Sequence, residues 1–265
     1  MSTSTVEAPT VVAVHDTPAS GFWADSWNVM MRELKPMLRE PASILFSMVQ
    51  PLVFLGLFAP LLPAISGGSA LQWFVPGVVA MSCAFGASFA GASLSDEIIS
   101  GSHERMLVSP LSRSSLLVGR ALKETVPMLL QTALILIVVT PFSFDLHLPG
   151  VLVGVAMLAL FSIGGSALSF ALAVASQGQE WLFWAVQQTV IFPVLLLAGV
   201  LLPLDDAPDW FGVLSDLNPL TYVVTAEREL FAGVWNADVI AAGFAGGAVV
   251  TALGLWVGVR AMRRA

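Results

Sequence analysis

The side chains that could do chemistry are concentrated in one charged stretch of this 265-residue sequence, from Asp96 to Lys123. It reads DEIISGSHERMLVSPLSRSSLLVGRALK, whereas residues 41–95 contain no Asp, Glu, Lys or Arg. After Glu124, charge disappears again until Asp145. Because ionised side chains are costly in hydrocarbon, this charged stretch must lie in water or at a water interface.

The ionisable residues do not form a recognised catalytic or metal-binding arrangement. A phosphate-binding loop needs Gly-Lys followed by Ser or Thr, but the only two lysines, Lys35 and Lys123, are followed by Pro and Glu. The histidines at 15, 103 and 147 are scattered and give no metal-binding spacing. The apolar runs supply Ser and Thr but no His, Asp or Glu that could act as the base of an intramembrane hydrolase. Energy for any transport must come from another subunit or from an ion gradient.

The elements that position these residues are overwhelmingly apolar. Hydrophobic residues make up 57% of the chain and charged residues 11%, against about 25% charged residues in soluble proteins. Several apolar runs reach the roughly 20 residues that a helix needs to cross a bilayer. The single Cys83 rules out a disulfide framework. The sequence therefore predicts an all-α, multi-pass membrane protein without a basic nucleic-acid-binding surface.

The chain is predicted to consist of a tail and one six-span transmembrane domain over 21–265. Residues 1–20 lack helical periodicity and a signal-peptide pattern, which predicts a disordered cytoplasmic tail. From Phe22 to Arg39, apolar residues including Trp23 and Trp27 recur at three- and four-residue spacing. This spacing predicts an amphipathic helix in the membrane interface, with a soluble helix packed on another domain as the alternative. The six spans are predicted at about 42–62, 72–95, 119–141, 150–175, 181–202 and 238–259.

The distribution of Lys and Arg predicts the orientation in the membrane. An amino terminus in the cytoplasm puts ten of the 11 Lys and Arg residues on the inner side and only Arg228 outside. We therefore expect a protein of the cytoplasmic membrane with both termini, and the charged stretch, in the cytoplasm. The second span is dense in Gly, Ala and Ser, which let helices approach closely in lipid, so it is expected to pack inside the bundle.

The segment between spans five and six is too apolar for a plain loop and too interrupted for a span. Pro203 and Pro219 break it, and Asn218-Pro219 is a turn signal. Two short helices, about 207–216 and 220–232, are predicted to dip into the outer leaflet as a re-entrant segment. An extracellular cap without a functional role is the alternative.

A carrier driven by an ion gradient usually places ionisable groups within its spans. The predicted spans hold none in their central portions, and Glu180 and Asp238 lie at span edges. Glu227, Arg228 and Glu229 lie on the second re-entrant helix, where local ion pairing or exposure to water is expected. The alternative from another class of protein is a secondary carrier or a membrane-embedded enzyme that works without a partner subunit.

Taken in their order along the chain, the amphipathic helix, the spans and the motifs between them resemble the membrane subunit of a type-2 ABC exporter, most of all the daunorubicin-resistance-type permeases. The resemblance covers nearly the whole chain beyond residue 20 and rests on the amphipathic helix, the six spans and two motif regions. The first motif region contains Asp96-Glu97, Gly101, Glu104-Arg105-Met106-Leu107, Pro110-Leu111-Ser112-Arg113 and Gly119-Arg120. The second is LAGVLLPL from Leu197 to Leu204, followed by Asn218-Pro219-Leu220-Thr221-Tyr222.

The resemblance implies a permease that has no catalytic, metal or cofactor site and pairs with separate ATPase subunits. Two permeases, as a homodimer or alternatively a heterodimer, and two ATPase subunits that bind ATP and Mg²⁺ would form the transporter. A short cytoplasmic helix between spans two and three would dock on the ATPase and transmit its closure. The residues assigned to this coupling are Asp96, Glu97, Gly101, Glu104, Arg105, Met106 and Leu107.

The residues of the charged stretch also favour one short helix over 96–108. Ser95 can cap a helix whose first turn carries two carboxylates, next to the positive end of the helix dipole. Pro110 ends it, because the residue before a proline disfavours helix. Arg120 and Lys123 are then expected to reach anionic lipid headgroups. The alternative interpretation is that this stretch is a passive cytoplasmic connector whose basic residues only follow the positive-inside rule.

Spans without fixed charge favour a hydrophobic or amphipathic cargo, such as a drug, antibiotic or lipid-like molecule, exported by ATP hydrolysis on the partner. Export of a lipid-linked glycan or glycolipid is the alternative within the family. The resemblance places spans two and five around the central cavity, although helix packing explains the aromatic residues equally well. The possible lining residues are Phe85, Phe89, Gln187, Gln188 and Phe192. The residues assigned to an outer re-entrant lid are Pro203, Asn218, Pro219, Tyr222, Glu227 and Arg228.

Overall fold

The computed structural model describes residues 21–39, 41–58, 70–100, 113–142, 144–176, 179–204 and 207–264. Over these residues the chain is helical, without β-strands. The helices are α1 (Phe22–Arg39), α2 (Pro41–Phe58), α3 (Ala70–Ile99), α4 (Arg113–Val139), α5 (Leu148–Ala175), α6 (Glu180–Leu197), α7 (Asp209–Asp216), α8 (Pro219–Phe231) and α9 (Ala237–Arg264).

Five helices, α3, α4, α5, α6 and α9, are long and apolar enough to cross a membrane. They coincide with predicted spans two to six, which confirms the all-helical, multi-span class. The prediction for span one falls on α2, which the structure describes only as far as Phe58, so the count of six stays a prediction. Helix α6 ends at Leu197, five residues before the predicted end, because the chain reverses at Gly199 with a left-handed φ of 63°.

Helix α5 is the centre of the bundle, since α3 packs along one side of it and α9 along another. The expectation that span two lies inside the bundle is right, because every residue from Phe74 to Ala84 on α3 is buried. Helix α6 rests mainly on α3 and makes no extensive contact with α5, its neighbour in sequence. Because α6 rests on α3 instead of α5, a cleft remains between α5 and α6.

The described bundle has two chemically distinct ends. The charged end contains the last turns of α3, the start of α4, helix α1 and the last turn of α9, where Arg113 Nη1 donates to the Met262 carbonyl at 3.0 Å. The opposite end contains α7 and α8, and there the Gln72 side chain donates to the Phe231 carbonyl at 2.7 Å. Helix α1 and the last turn of α9 therefore lie at the same end as the charged stretch.

Helix α1 has the predicted bounds, but its apolar side is divided between two surroundings. Met30 and Leu34 are buried, and the helix packs on the start of α4, where a Cβ on Gly119 would lie 2.5 Å from the Ser26 carbonyl oxygen. Trp23 and Trp27 are exposed instead. One side of α1 therefore holds it on the bundle while its tryptophans stay available to an interface.

Candidate functional site

The helix predicted to begin after Ser95 does not begin there. Helix α3 continues through Ser95 to Ile99, and the Ser100 N–H still donates to the Asp96 carbonyl at 2.9 Å. Ser95 is therefore a buried residue within a helix and not a cap. The assigned coupling residues Gly101, Glu104, Arg105, Met106 and Leu107 lie outside the described residues.

Asp96 and Glu97 consequently occupy the last turns of α3 instead of a first turn. Carboxylates are unfavourable beside the negative end of a helix dipole. Arg120 compensates for this at Glu97, because its Nη2 lies 2.5 Å from Glu97 Oε2. A tertiary ion pair thus outweighs the local preference that the sequence pattern uses.

Arg120 is the centre of an ion-pair cluster, formed with Glu97 and Glu33, that joins three helices. Its side chain is only 3% exposed, and Nη2 also lies 3.6 Å from Glu33 Oε1 on α1. The expectation that Arg120 reaches lipid headgroups is therefore wrong. The reason is that α1 crosses α4 directly at Gly119 and covers Arg120, which then needs carboxylate partners. Lys123 remains near the surface and pairs with its neighbour Glu124 at 2.9 Å.

Three of the five possible cavity-lining residues meet in one aromatic surface, made of Phe85, Phe89, Trp184 and Phe192. The Phe85 ring stacks on Phe89 with centroids 5.7 Å apart and meets Phe192 edge-on at 6.1 Å. Trp184 lies 5.5 Å from Phe89. This surface borders an apolar cavity of about 520 Å³ that reaches from α2 to α7.

Gln187 on α6 contacts a different part of α3. It is buried, and its Nε2 donates to the Ser88 carbonyl and, at 2.9 Å, to Ser169 Oγ. Ser169 in turn accepts from the Gly91 N–H at 2.9 Å, so one polar group joins α3, α5 and α6. Gln187, Ser88 and Ser169 line the cleft between α5 and α6, a largely apolar cavity of about 370 Å³ that extends to the start of α8. Gln188 is on the exposed side of α6 and does not join them.

The two short helices at the opposite end match the predicted pair within a few residues, while their insertion into a leaflet stays a prediction. Asn218 caps α8 by accepting from the Leu220 N–H at 3.1 Å, and its Nδ2 donates to the Val194 carbonyl of α6 at 2.8 Å. Pro219 is the first residue of α8, where a proline costs no hydrogen bond. Tyr222 donates to the Asp216 carbonyl at 2.8 Å and so joins α8 to α7.

Arg228 connects the two parts of the second motif region. Its Nη2 donates to the Gly199 carbonyl at 2.7 Å, and its guanidinium lies 3.8 Å above the ring of Trp73 on α3. The one cation expected outside is thus held by backbone carbonyls and a tryptophan face. Pro203 is exposed in the turn that follows Gly199.

Glu227, one residue earlier on α8, points towards a different helix, α5. Its carboxyl is 0% exposed, and neither oxygen has a hydrogen-bond partner among the described residues. The expected water exposure or local ion pair is therefore wrong for Glu227. Successive residues point about 100° apart on a helix, so Arg228 reaches α3 and the Gly199 turn while Glu227 packs on Gly154 of α5. Burial raises the pKa of the Glu227 carboxyl well above its usual value, although the Arg228 guanidinium lowers it.

Several residues of these sites carry no signal in the sequence. Glu33, Trp73 and Ser169 look like an ordinary interfacial charge, a span-edge aromatic and one of many small span residues. Ser169 meets Ser88 across 81 positions of sequence. Only the packing of distant helices reveals such partners.

Comparison with known proteins gives consistent matches over most of the chain. The family model described as ABC-2 type transporter matches residues 25–232. The daunorubicin resistance ABC transporter permease protein DrrB1 of Streptomyces coeruleorubidus is 25% identical over 244 residues, 87% of this chain and 84% of that protein. The putative transport permease ycf38 of Cyanophora paradoxa is 29% identical over 221 residues, 80% and 76% of the two chains. The probable multidrug ABC transporter permease YbhR of Escherichia coli K12 is 24% identical over 178 residues, 64% and 46%.

Proposed function

Since this chain belongs to the ABC-2 type transporter family, we propose that, as the membrane subunit of an ABC transporter, it exports a hydrophobic or amphipathic compound across the cytoplasmic membrane. The predicted similarity to daunorubicin-resistance-type permeases is confirmed by the match to DrrB1. The observation that carries the proposal is the cluster at the charged end in which the buried Arg120 pairs with the partly exposed Glu97 and Glu33.

The cluster supplies a physical route by which ATP hydrolysis on a partner would move the spans. Two ATPase subunits, each with ATP and Mg²⁺, would dock from the cytoplasm on residues 96–108 of two permease copies. Displacement of this segment pulls on Glu97 at the end of α3. Because Arg120 binds both Glu97 and Glu33, the displacement reaches α4 and α1 together. Leaving the buried Arg120 guanidinium short of a carboxylate partner costs about 1–3 kcal/mol, which favours movement of the three helices as one unit.

The proposed cargo follows from the chemistry of the cavities. No ionisable side chain of the described residues lines the cleft or the cavities next to the aromatic surface. Ligand sites of this kind select apolar compounds and use a few polar groups for orientation. Gln187 in the cleft and Gln50 near the aromatic surface are such groups. This lining favours a hydrophobic or amphipathic compound over a glycan, which needs many hydrogen-bonding partners.

The deciding experiment is purification of the complex from its native host, followed by transport in reconstituted vesicles. We expect an ATPase subunit in equal amount and transport that requires its activity. Transport that persists without any such subunit would refute the proposal. As a mutational arm, E104R should weaken ATPase binding without affecting membrane insertion. Its control is D238R, the same charge reversal at the opposite end of the bundle, which should leave ATPase binding unchanged.

A further inference from the structure

Glu227 is a buried acid that the transport proposal does not use. It lies on the face of α8 that packs on α5, where a Cβ placed on Gly154 would lie 3.5 Å from Glu227 Oε1. Its two oxygens lack hydrogen-bond partners among the described residues. An ionised carboxylate in such a place is strongly unfavourable, whereas the protonated acid is neutral and packs at a much smaller cost.

The surroundings of Glu227 offer little compensating charge. From α3, the Cys83 thiol donates to the Leu158 carbonyl of α5 at 3.5 Å, one turn from Gly154. On α8 itself, Arg228 is engaged with Gly199 and Trp73, and Glu229 is half-buried. Helix α5 contains no ionisable residue, and α6, α7 and α9 carry theirs only at their ends. The ionisable residues of those three helices are Glu180, Asp209, Asp216, Asp238, Arg260, Arg263 and Arg264.

We propose that Glu227 is a proton-binding site that locks α8 onto α3 and α5. The carboxyl holds its proton while α8 is packed, and it releases the proton to water when α8 moves away from the spans. The backbone offers pivots on both sides of α8, at the Asn218-Pro219 turn and at Gly233, whose φ is 76°. The site itself does not depend on the proposed transport activity. If α8 acts as the outer lid, the proton would set how readily that lid opens.

The direction of the pH effect follows from which state binds the proton more tightly. With α8 moved away, Glu227 is solvated and has the ordinary glutamate pKa of about 4.3. Burial raises the pKa of the packed carboxyl well above that value. The stabilisation of the packed state is therefore complete below about pH 4.3 and is lost as pH rises through the raised pKa. Between the two values, the open population grows by up to about tenfold per pH unit.

The chain provides its own reporter for this opening, because Cys83 is its single cysteine, is buried, and contacts α5 at Leu158, one turn from the Gly154 on which Glu227 packs. The test compares maleimide labelling of Cys83 in the full-length wild type and in E227Q, both in lipid nanodiscs, from pH 6 to pH 9. Since maleimide labelling itself depends on pH in both proteins, the ratio of the two rates isolates the contribution of Glu227. We expect the wild-type to E227Q ratio to rise several-fold with pH, and E229Q to follow the wild type.

Infrared spectroscopy of the wild type is the second measurement, and it does not depend on how well E227Q folds. At neutral pH we expect the carbonyl stretch of a protonated carboxyl that resists exchange into D₂O. If E227Q folds, its spectrum lacks this band. A spectrum without such a band, or a labelling ratio that stays constant over the pH range, would overturn the proposal.

Discussion

The contact between α5 and α9 leads to a sharp prediction about two glycines on one helix. A Cβ on Gly254 would lie 2.1 Å from the carbonyl oxygen of Gly164 and 2.8 Å from its carbonyl carbon. Both atoms belong to the backbone, so rotation of a side chain gives no relief. The two helices must separate by about 1 Å before the contact reaches an ordinary distance, and neighbouring contacts along the interface are then loosened.

The variant G254A should therefore lose stability by about 3 kcal/mol, at the upper end of the usual range for overpacked cores. For a chain of this size, that loss corresponds to a fall of about 6–12 °C in the unfolding temperature. The matched control is G247A, two turns earlier on α9. There the nearest atom, the Met157 carbonyl oxygen, would lie 3.5 Å from the added Cβ. Its methyl group fits, and the higher helix propensity of Ala adds up to about 1 kcal/mol.

Thermal unfolding of the purified variants in detergent, followed by tryptophan fluorescence, measures both effects. Size-exclusion chromatography before heating shows whether each variant starts from a folded, monodisperse state. We expect G254A to unfold well below the wild type and G247A at or slightly above it. Equal unfolding temperatures for the two variants would refute the close approach of α5 and α9.

Two further predictions concern the polar contacts that join the helices. Removing the Glu97 charge with E97Q leaves the buried Arg120 guanidinium short of a partner and should cost about 1–3 kcal/mol of stability. The control is D96N, the same change at the exposed neighbouring residue. The cost of E97Q should be smaller in an R120Q background, where the ion pair is already lost. An additive double-mutant cycle would contradict the ion pair. The variant N218A removes the cap of α8 and its hydrogen bond to α6, which should lower the stability by about 1–2 kcal/mol. Hydrogen exchange should then accelerate in α8 but not in α5. Unchanged protection of α8 would count against that role.

Local patterns were sufficient to predict most elements. The bounds of α1, the apolar runs of α3 to α6 and α9, and the two short helices around Asn218-Pro219 all follow from periodicity, run length and turn residues. The same local logic failed at Ser95. A serine followed by two acids is a sound start signal for an isolated helix. It is overridden here because the last turn of α3 gains an ion pair with Arg120, a partner 23 positions away.

The charged stretch and the apolar runs can be recognised from the sequence alone, and they determine that this is a multi-pass helical membrane protein whose charge is concentrated at one position along the chain. The direction in which each side chain points is decided by packing. Glu227 and Arg228 are neighbours in sequence, yet one is buried on α5 and the other binds the Gly199 turn. Gly247 and Gly254 look equivalent on α9, yet of the two only Gly254 lies so close to the backbone of α5 that a methyl group does not fit. Helix rotation and the spacing between helices depend on all the contacts together, so tertiary structure alone separates these pairs.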